Sequence, residues 1–268
     1  MKKALIHFFL GFTLLLQGCE EVVDVDLKES EPRLVVAASI FLPKDNPEAS
    51  QFIRLTTTAP YFIEDVPPAS NAEVAIIDET GRKYNFEEFE PGYYKSDEFT
   101  PRLNMVYQLE ILYNQELYTA TESLISTPEI EYIEQKDGAG FNGDNVELRA
   151  FFTDLPGVDN YYLFRFLYEG LSIQIYDDEF TNGNLTFAYF SDDELEKGDV
   201  VTFEIQGISR RFYEYMFLLR SQAGAGGGPF QTQPTTVRGN VINETNPENF
   251  AFGYFRLSET GSFNYTLQ

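Results

Sequence analysis

From Arg33 onward, apolar side chains recur at every second position, and turn-forming residues cut the pattern into short pieces. Leu34, Val36, Ala38 and Ile40 share one side of an extended segment, because successive side chains of a strand point to opposite faces. Phe52-Ile53-Arg54-Leu55-Thr56-Thr57-Thr58 is β-branched and stops before Pro60. Glu73 to Asp78 and Lys83 to Phe86 form a hairpin around Glu79-Thr80-Gly81-Arg82, and Tyr93-Tyr94-Lys95 follows Pro91-Gly92. Val106 to Tyr113 and Leu117 to Glu122 make another hairpin across Asn114-Gln115-Glu116. These short strands, with no helical period among them, predict a β-sandwich of immunoglobulin-like or transthyretin-like type over residues 33–126.

Thr127-Pro128 marks the expected boundary to a larger β domain, residues 127–268. Its expected strands are Ile130 to Glu134, Val146 to Phe152, Tyr161 to Tyr168, Leu171 to Tyr176, Leu185 to Phe190 and Val200 to Ile205. Two further pieces follow at Phe250 to Leu257 and Phe263 to Leu267. One segment, about 209–222, reads as an α-helix. Ser209 is placed to cap it, and Phe212, Tyr215, Met216 and Leu219 fall at helical spacing. That stripe predicts a helix packed over the open face of the second sheet. Gly224 to Pro229 ends the helix; four glycines in six residues predict a mobile loop. The run follows its helix and carries no lysine, so it does not make a phosphate cradle.

The N-terminus points to an address. Lys2 and Lys3 precede an apolar stretch, Ala4 to Leu16, which is too short to span a bilayer. Leu14-Leu15-Leu16-Gln17-Gly18-Cys19 then resembles a bacterial lipobox, although Gln17 departs from the small or apolar residue usual there. The resemblance implies a signal peptide of residues 1–18, cleavage before Cys19 and lipid on that cysteine. Residues 19–32 become a tether, and the protein is held to a membrane without crossing it. Glu20 and Glu21 directly after the cysteine resemble an export signal to the outer face of the outer membrane.

Cleavage also removes His7, the sole histidine. A chain beginning at Cys19 holds no histidine, no tryptophan and no free thiol once Cys19 is acylated. That excludes a Ser-His-Asp triad, a Cys-His pair, histidine-bound zinc and disulfides. The net charge of −24 becomes two units more negative when Lys2 and Lys3 leave. Such a surface repels nucleic acid and anionic lipid head groups, so no nucleic-acid partner is expected. Hydrophobic residues at 43% and aromatics at 16% supply a core and argue against disorder.

Two acidic loops are candidates for calcium. Asp177-Asp178-Glu179 with Asn182-Gly183 fails the EF-hand pattern, because Phe180 and Tyr189 fall where oxygen ligands are needed. Asp192-Asp193-Glu194 with Glu196 is the second, closed by Lys197-Gly198-Asp199. No residue nominates a catalytic pair among 43 acids, so no catalytic, metal or cofactor site is assigned. The sequons at Asn184, Asn243 and Asn264 carry no weight in a lipoprotein of this kind.

The whole chain resembles the uncharacterised, domain-of-unknown-function outer-membrane lipoproteins of Bacteroidota whose genes neighbour TonB-dependent receptors. The residues carrying the resemblance begin with Cys19-Glu20-Glu21-Val22-Val23-Asp24-Val25-Asp26-Leu27, Arg33-Leu34-Val35-Val36 and Ala72-Glu73-Val74. They continue with Tyr107-Gln108-Leu109-Glu110-Ile111, Tyr118-Thr119-Ala120 and Asn160-Tyr161-Tyr162-Leu163-Phe164. The last part holds Gly198-Asp199, Ile208-Ser209, Tyr213-Glu214-Tyr215, Gly239-Asn240-Val241 and Gly253-Tyr254-Phe255. The resemblance implies no catalytic residue. It implies a surface-facing, non-enzymatic lipoprotein that assists a TonB-dependent receptor by binding the receptor, its cargo or both. A free-standing adhesin or ligand-binding module is the alternative, and a carboxylate-only hydrolase the third reading.

Overall fold

The computed structural model describes residues 31–60, 63, 65–139, 145–223 and 236–268. Cys19, Glu20, Glu21 and the glycine run from Gly224 to Pro229 lie outside the described residues. Residues Pro32–Gln268 cluster as one unit by contact, and the description below is of that unit. Among the described residues it is a mainly β structure with one helix.

Eight strands close a hydrogen-bonded ring. They are β1 (Leu34–Pro43), β2 (Gln51–Thr57), β3 (Glu73–Asp78), β4 (Lys83–Glu90), β5 (Tyr93–Ser96), β6 (Val106–Tyr113), β7 (Glu116–Ile125) and, from the far end of the chain, β15 (Phe252–Thr266). The order around the ring is β15-β1-β2-β5-β4-β3-β6-β7, and β7 returns to β15 through Leu124↔Leu257 and Ile125↔Ser258. The corner at β4 follows from its bulge. Its first half pairs with β3, its second half with β5, and the register slips between Glu88 and Glu90. The expected alternation in β1 is observed: Leu34, Val36, Ala38 and Ile40 are buried in the core with Ile53, Leu55, Leu109, Ile111 and Phe255. The β6–β7 turn is tighter than expected. Asn114 and Gln115 alone adopt positive φ (50° and 66°), and Glu116 already belongs to β7. Buried tyrosine hydroxyls are satisfied, as Tyr94 shows by donating to the Ala69 carbonyl at 2.9 Å and accepting from the Ala72 N–H at 3.0 Å.

A second core lies between two further layers. The three-stranded sheet β12-β9-β8 (Leu185–Asp192, Asn145–Thr153 and Tyr132–Ala139) is one of them. β10 (Tyr161–Leu167), β11 (Leu171–Asp177), β13 (Val200–Ile208) and the end of β15 extend the large sheet as the other. Phe152, Tyr162, Phe164, Phe166, Phe190 and Phe203 fill the space between.

β15 serves both cores. Phe252 to Thr260 run parallel to β1, whereas Thr260 to Thr266 run antiparallel to β13. The two pieces expected from the sequence are therefore one strand of 15 residues. Ser258, Glu259 and Thr260, which lie between the two expected pieces, are all buried. Glu259 accepts the Thr127 N–H at 2.9 Å and holds Lys44 at 3.4 Å, so its carboxylate is compensated inside the fold.

The helix α1 spans Arg210–Ala223. Ser209 caps it, its Oγ accepting the Phe212 N–H at 3.2 Å. Phe212, Tyr215 and Met216 pack on Leu163, Ile208, Ile173, Ile175 and Tyr254, on the face of the second sheet opposite its core. The fourth stripe residue, Leu219, stays 37% exposed beside Phe217 and Leu218 in the last turns. A short strand, β14 (Ile242–Asn243), joins the edge of β7.

Candidate functional site

The outer face of the three-stranded sheet carries an aromatic row. The register sets Tyr132 opposite Phe151 and Phe151 opposite Phe187, so one ring comes from each strand. Tyr132 and Phe151 stack with centroids 4.7 Å apart and planes 12° apart; Phe187 follows at 5.2 Å. The next row down is Glu134, Arg149 and Tyr189. Arg149 covers Phe187 at 4.8 Å and bonds Glu147 at 2.6 Å, with Glu134 at 3.7 Å. Tyr132, Leu185 and Tyr189 remain 44%, 51% and 49% exposed. Cross-strand ring pairs stabilise a sheet by themselves. A contiguous exposed group of tyrosine, phenylalanine and paired arginine also has the composition of an interface core.

A cavity of about 260 Å³ opens between the β11 end and α1. Asp159, Asp177, Asp178, Glu179 and Glu214 line it with Tyr161, Tyr213 and a single cation, Arg210. Arg210 is held by Glu214 at 3.0 Å. The Tyr213 hydroxyl donates to Asp177 Oδ2 at 2.9 Å, and its ring lies 5.1 Å from that of Tyr161. Burial pushes both phenols up, with Asp177 adding to the rise at Tyr213. The first acidic loop of the sequence thus lines a real concavity, joined by Asp159 and Glu214, which no local pattern connects to it. The second loop lines another, of about 350 Å³, where Asp192 and Glu194 meet Tyr168 and Glu169. There Asp199 accepts the Tyr168 hydroxyl and the Glu196 N–H, so its carboxylate closes the turn. Among the described residues no group of three or more His, Cys, Asp or Glu side chains is placed to hold a metal ion.

Two carboxylate nodes escaped the sequence reading. Glu116 accepts four side-chain donors: Tyr118 at 2.7 Å, Asn249 at 2.7 Å, Asn243 at 3.0 Å and Asn246 at 3.1 Å. These bonds, the Tyr118 one foremost, hold its carboxyl below the ordinary range. They clamp residues 243–249 onto β7 and leave Asn243 itself buried. Glu122, deep under α1, accepts from Tyr254 at 2.9 Å, Asn240 at 3.3 Å and Ser209 at 3.4 Å. Burial nonetheless pushes its carboxyl up. The only sequence signal for either node is the Asn243–Asn246–Asn249 spacing, whose acceptor lies on a distant strand.

Among the described residues the architecture is that of a β protein with an exposed aromatic row on one sheet face. The chain belongs to the family described as Domain of unknown function (DUF4249), which it matches over residues 20–264. Comparison with curated proteins found no match. Among solved structures it is similar to a DUF4785 family protein from Legionella pneumophila, at 8% identity, with 67% of this chain and 54% of that one covered and a TM-score of 0.24. It thus spans about half the length of that protein. A two-domain fibronectin type-III segment from chicken tenascin is similar at 12% identity, covering 66% and 90% of the two chains, with a TM-score of 0.21. A tetra-tandem repeat from the extending region of a large adhesion protein gives 12%, 67% and 46%, and 0.21. Likenesses this distant carry no functional argument.

Proposed function

We propose that this protein is a non-enzymatic, lipid-anchored lipoprotein of the outer membrane, surface-facing, and that it acts as an accessory or cargo-binding partner of a TonB-dependent nutrient-uptake receptor. The anchoring part rests on Cys19 at the end of a short apolar segment, with Glu20 and Glu21 as the surface-export signal. The receptor is named by the resemblance stated above. In the same reading the eight-stranded ring is an immunoglobulin-like or transthyretin-like sandwich whose last strand is borrowed from the C-terminus. The observation that carries a binding role is the aromatic row of Tyr132, Phe151 and Phe187, which leaves large rings in water on a face flanked by paired charges.

The test is capture of the protein from gently solubilised native membranes. A TonB-dependent barrel is expected to come with it. Phe187→Glu is expected to reduce that recovery by about tenfold or more, as loss of a central aromatic contact does. The substitution also removes the Phe151 ring contact and the Arg149 stacking, so a small fall in melting temperature should accompany it while the protein stays folded. Recovery of no barrel, even after cross-linking at low salt, replaces this reading with the free-standing adhesin. Mass spectrometry of the mature N-terminus checks the anchor separately: Cys19 should begin the chain and carry acyl groups, and an unmodified Cys19 refutes it.

A further inference from the structure

We propose that β8 is a docking edge for an extended peptide segment of a partner protein. The segment adds as a fourth, antiparallel strand to the sheet β12-β9-β8, with an aromatic residue opposite Tyr132, a basic one opposite Glu134 and an acidic one opposite Lys136. This assignment rests on the reading of the aromatic row as a binding face, and it names what that face takes. Tyr132 and Phe151 have ring centres 4.7 Å apart in planes 12° apart. Rings so placed must lie face to face, because side by side they would overlap. The stack therefore runs across the strands, from Phe187 through Phe151 to Tyr132. Its next place lies beyond β8, on the outer side of a tyrosine that is 44% exposed.

β8 supplies the backbone for such a strand. Among the described residues its one strand neighbour is β9, so the N–H and C=O groups of alternate residues point away from the sheet. Gln135 pins the strand from its other face, accepting the Tyr265 hydroxyl at 3.3 Å and the Gln268 N–H at 3.0 Å, so the template is set before a partner arrives. Pairing with β9 slips between Lys136 and Ala139, which ends the regular stretch after Lys136. The opposite edge of this sheet is engaged, because Gln174 of β11 donates to the Tyr189 carbonyl of β12 at 3.0 Å. Charge sets the partner's pattern. Across the register Glu134 faces Arg149 and Lys136 faces Glu147, so the sign alternates from strand to strand. Arg149 lies 3.7 Å from Glu134 and 2.6 Å from Glu147, and the Glu134 side chain stays 51% exposed. A new strand continues the alternation with a cation beside Glu134 and an anion beside Lys136, each an attractive cross-strand pair. Those two residues sum to no charge, so the −24 of the chain does not oppose their approach. Both strand pairs in this sheet are antiparallel, the slightly stronger arrangement. The partner therefore reads acidic, basic and aromatic at every second position from its N-terminal side.

The probe is the fluorescently labelled peptide Thr-Glu-Val-Arg-Val-Tyr-Thr with both ends blocked, titrated with the full chain. It is expected to bind by anisotropy and to slow amide exchange at residues 132–136. Exchanging its Glu and Arg is expected to weaken binding about tenfold, since two attractive pairs become repulsive. In a chain carrying both Glu134→Arg and Lys136→Glu the preference between the two peptides should reverse. Methylating the peptide nitrogens that face β8 should abolish binding, because the backbone pairs are then lost. No binding at about 1 mM peptide, equal binding of the two peptides by the wild type, or binding that leaves exchange in β8 unchanged overturns the edge. A peptide that slows exchange in β8, while Phe187→Glu leaves barrel recovery from membranes unchanged, refutes the receptor's use of the face and keeps the edge. Loss of barrel recovery in Phe187→Glu, with no peptide binding to the wild type, sinks the edge and keeps the face.

Discussion

Gly253→Ala is expected to cost about 4 kcal/mol or more and to leave little folded protein. Gly253 sits in β15 at φ +86°, and a Cβ there would lie 1.9 Å from the carbonyl oxygen of Val36, its partner in β1. The other side of the strand is just as close: a Cβ on Gly239 would meet the Gly253 carbonyl oxygen at 1.5 Å. Three backbones are stacked at this point, and only glycine lets them approach. The contact is held from both directions, because the Asn240 amide donates to the Phe255 carbonyl at 2.8 Å and accepts its N–H at 2.9 Å. Gly81→Ala separates backbone strain from overlap. Gly81 has nearly the same φ, +87°, with nothing within 4 Å of its added Cβ. It should cost only about 1 kcal/mol, the penalty of a left-handed residue alone. Urea denaturation of the two variants reads the difference. Equal small losses at both sites would mean that β15 is free to shift away from Val36.

What could be read from the sequence was local. The period of two placed the buried side of β1 correctly, and Ser209 with the spacing of Phe212, Tyr215 and Met216 placed α1 and its packing face. Gly239-Asn240-Val241 and Gly253-Tyr254-Phe255 were singled out by resemblance; the structure gives the reason, since the two glycines are one close contact. What escaped was non-local. The continuity of β15 was hidden because Glu259 becomes acceptable in the interior only once Lys44 and the Thr127 N–H reach it from elsewhere. Tyr132, Phe151 and Phe187 each looked like an ordinary strand aromatic. Their row exists only through the pairing of β8, β9 and β12. The same holds for the first acidic loop, which was visible as a charge run while Asp159 and Glu214, its companions in the cavity, were not.

The second large effect is expected at Glu116, and its sign with pH should be opposite to that at Glu122. Glu116→Ala removes one acceptor from Tyr118, Asn243, Asn246 and Asn249 together, and should cost about 3 kcal/mol at neutral pH. Its folded carboxyl titrates below the ordinary glutamate value of about 4.3. A depressed value means that the stabilisation is present above that ordinary value and is lost as pH falls through the folded one. The gap between wild type and Glu116→Gln should therefore be widest near neutrality and close in acid. Glu122 titrates above the ordinary value, because burial outweighs the bonds from Tyr254, Ser209 and Asn240. Its contribution is fully present below the ordinary value and declines as pH rises through the raised folded one. Wild type should therefore gain on Glu122→Gln as the solution is acidified. Urea midpoints of the three proteins between about pH 3 and pH 7 give both slopes. Slopes of the same sign would mean that the four donors on Glu116, or the burial of Glu122 beneath α1, do not persist in solution. The opposition has a structural cause: Glu116 holds the 243–249 segment to β7 as an anion with four donors, whereas Glu122 is buried, and the loss of water around its carboxylate outweighs the donors it finds.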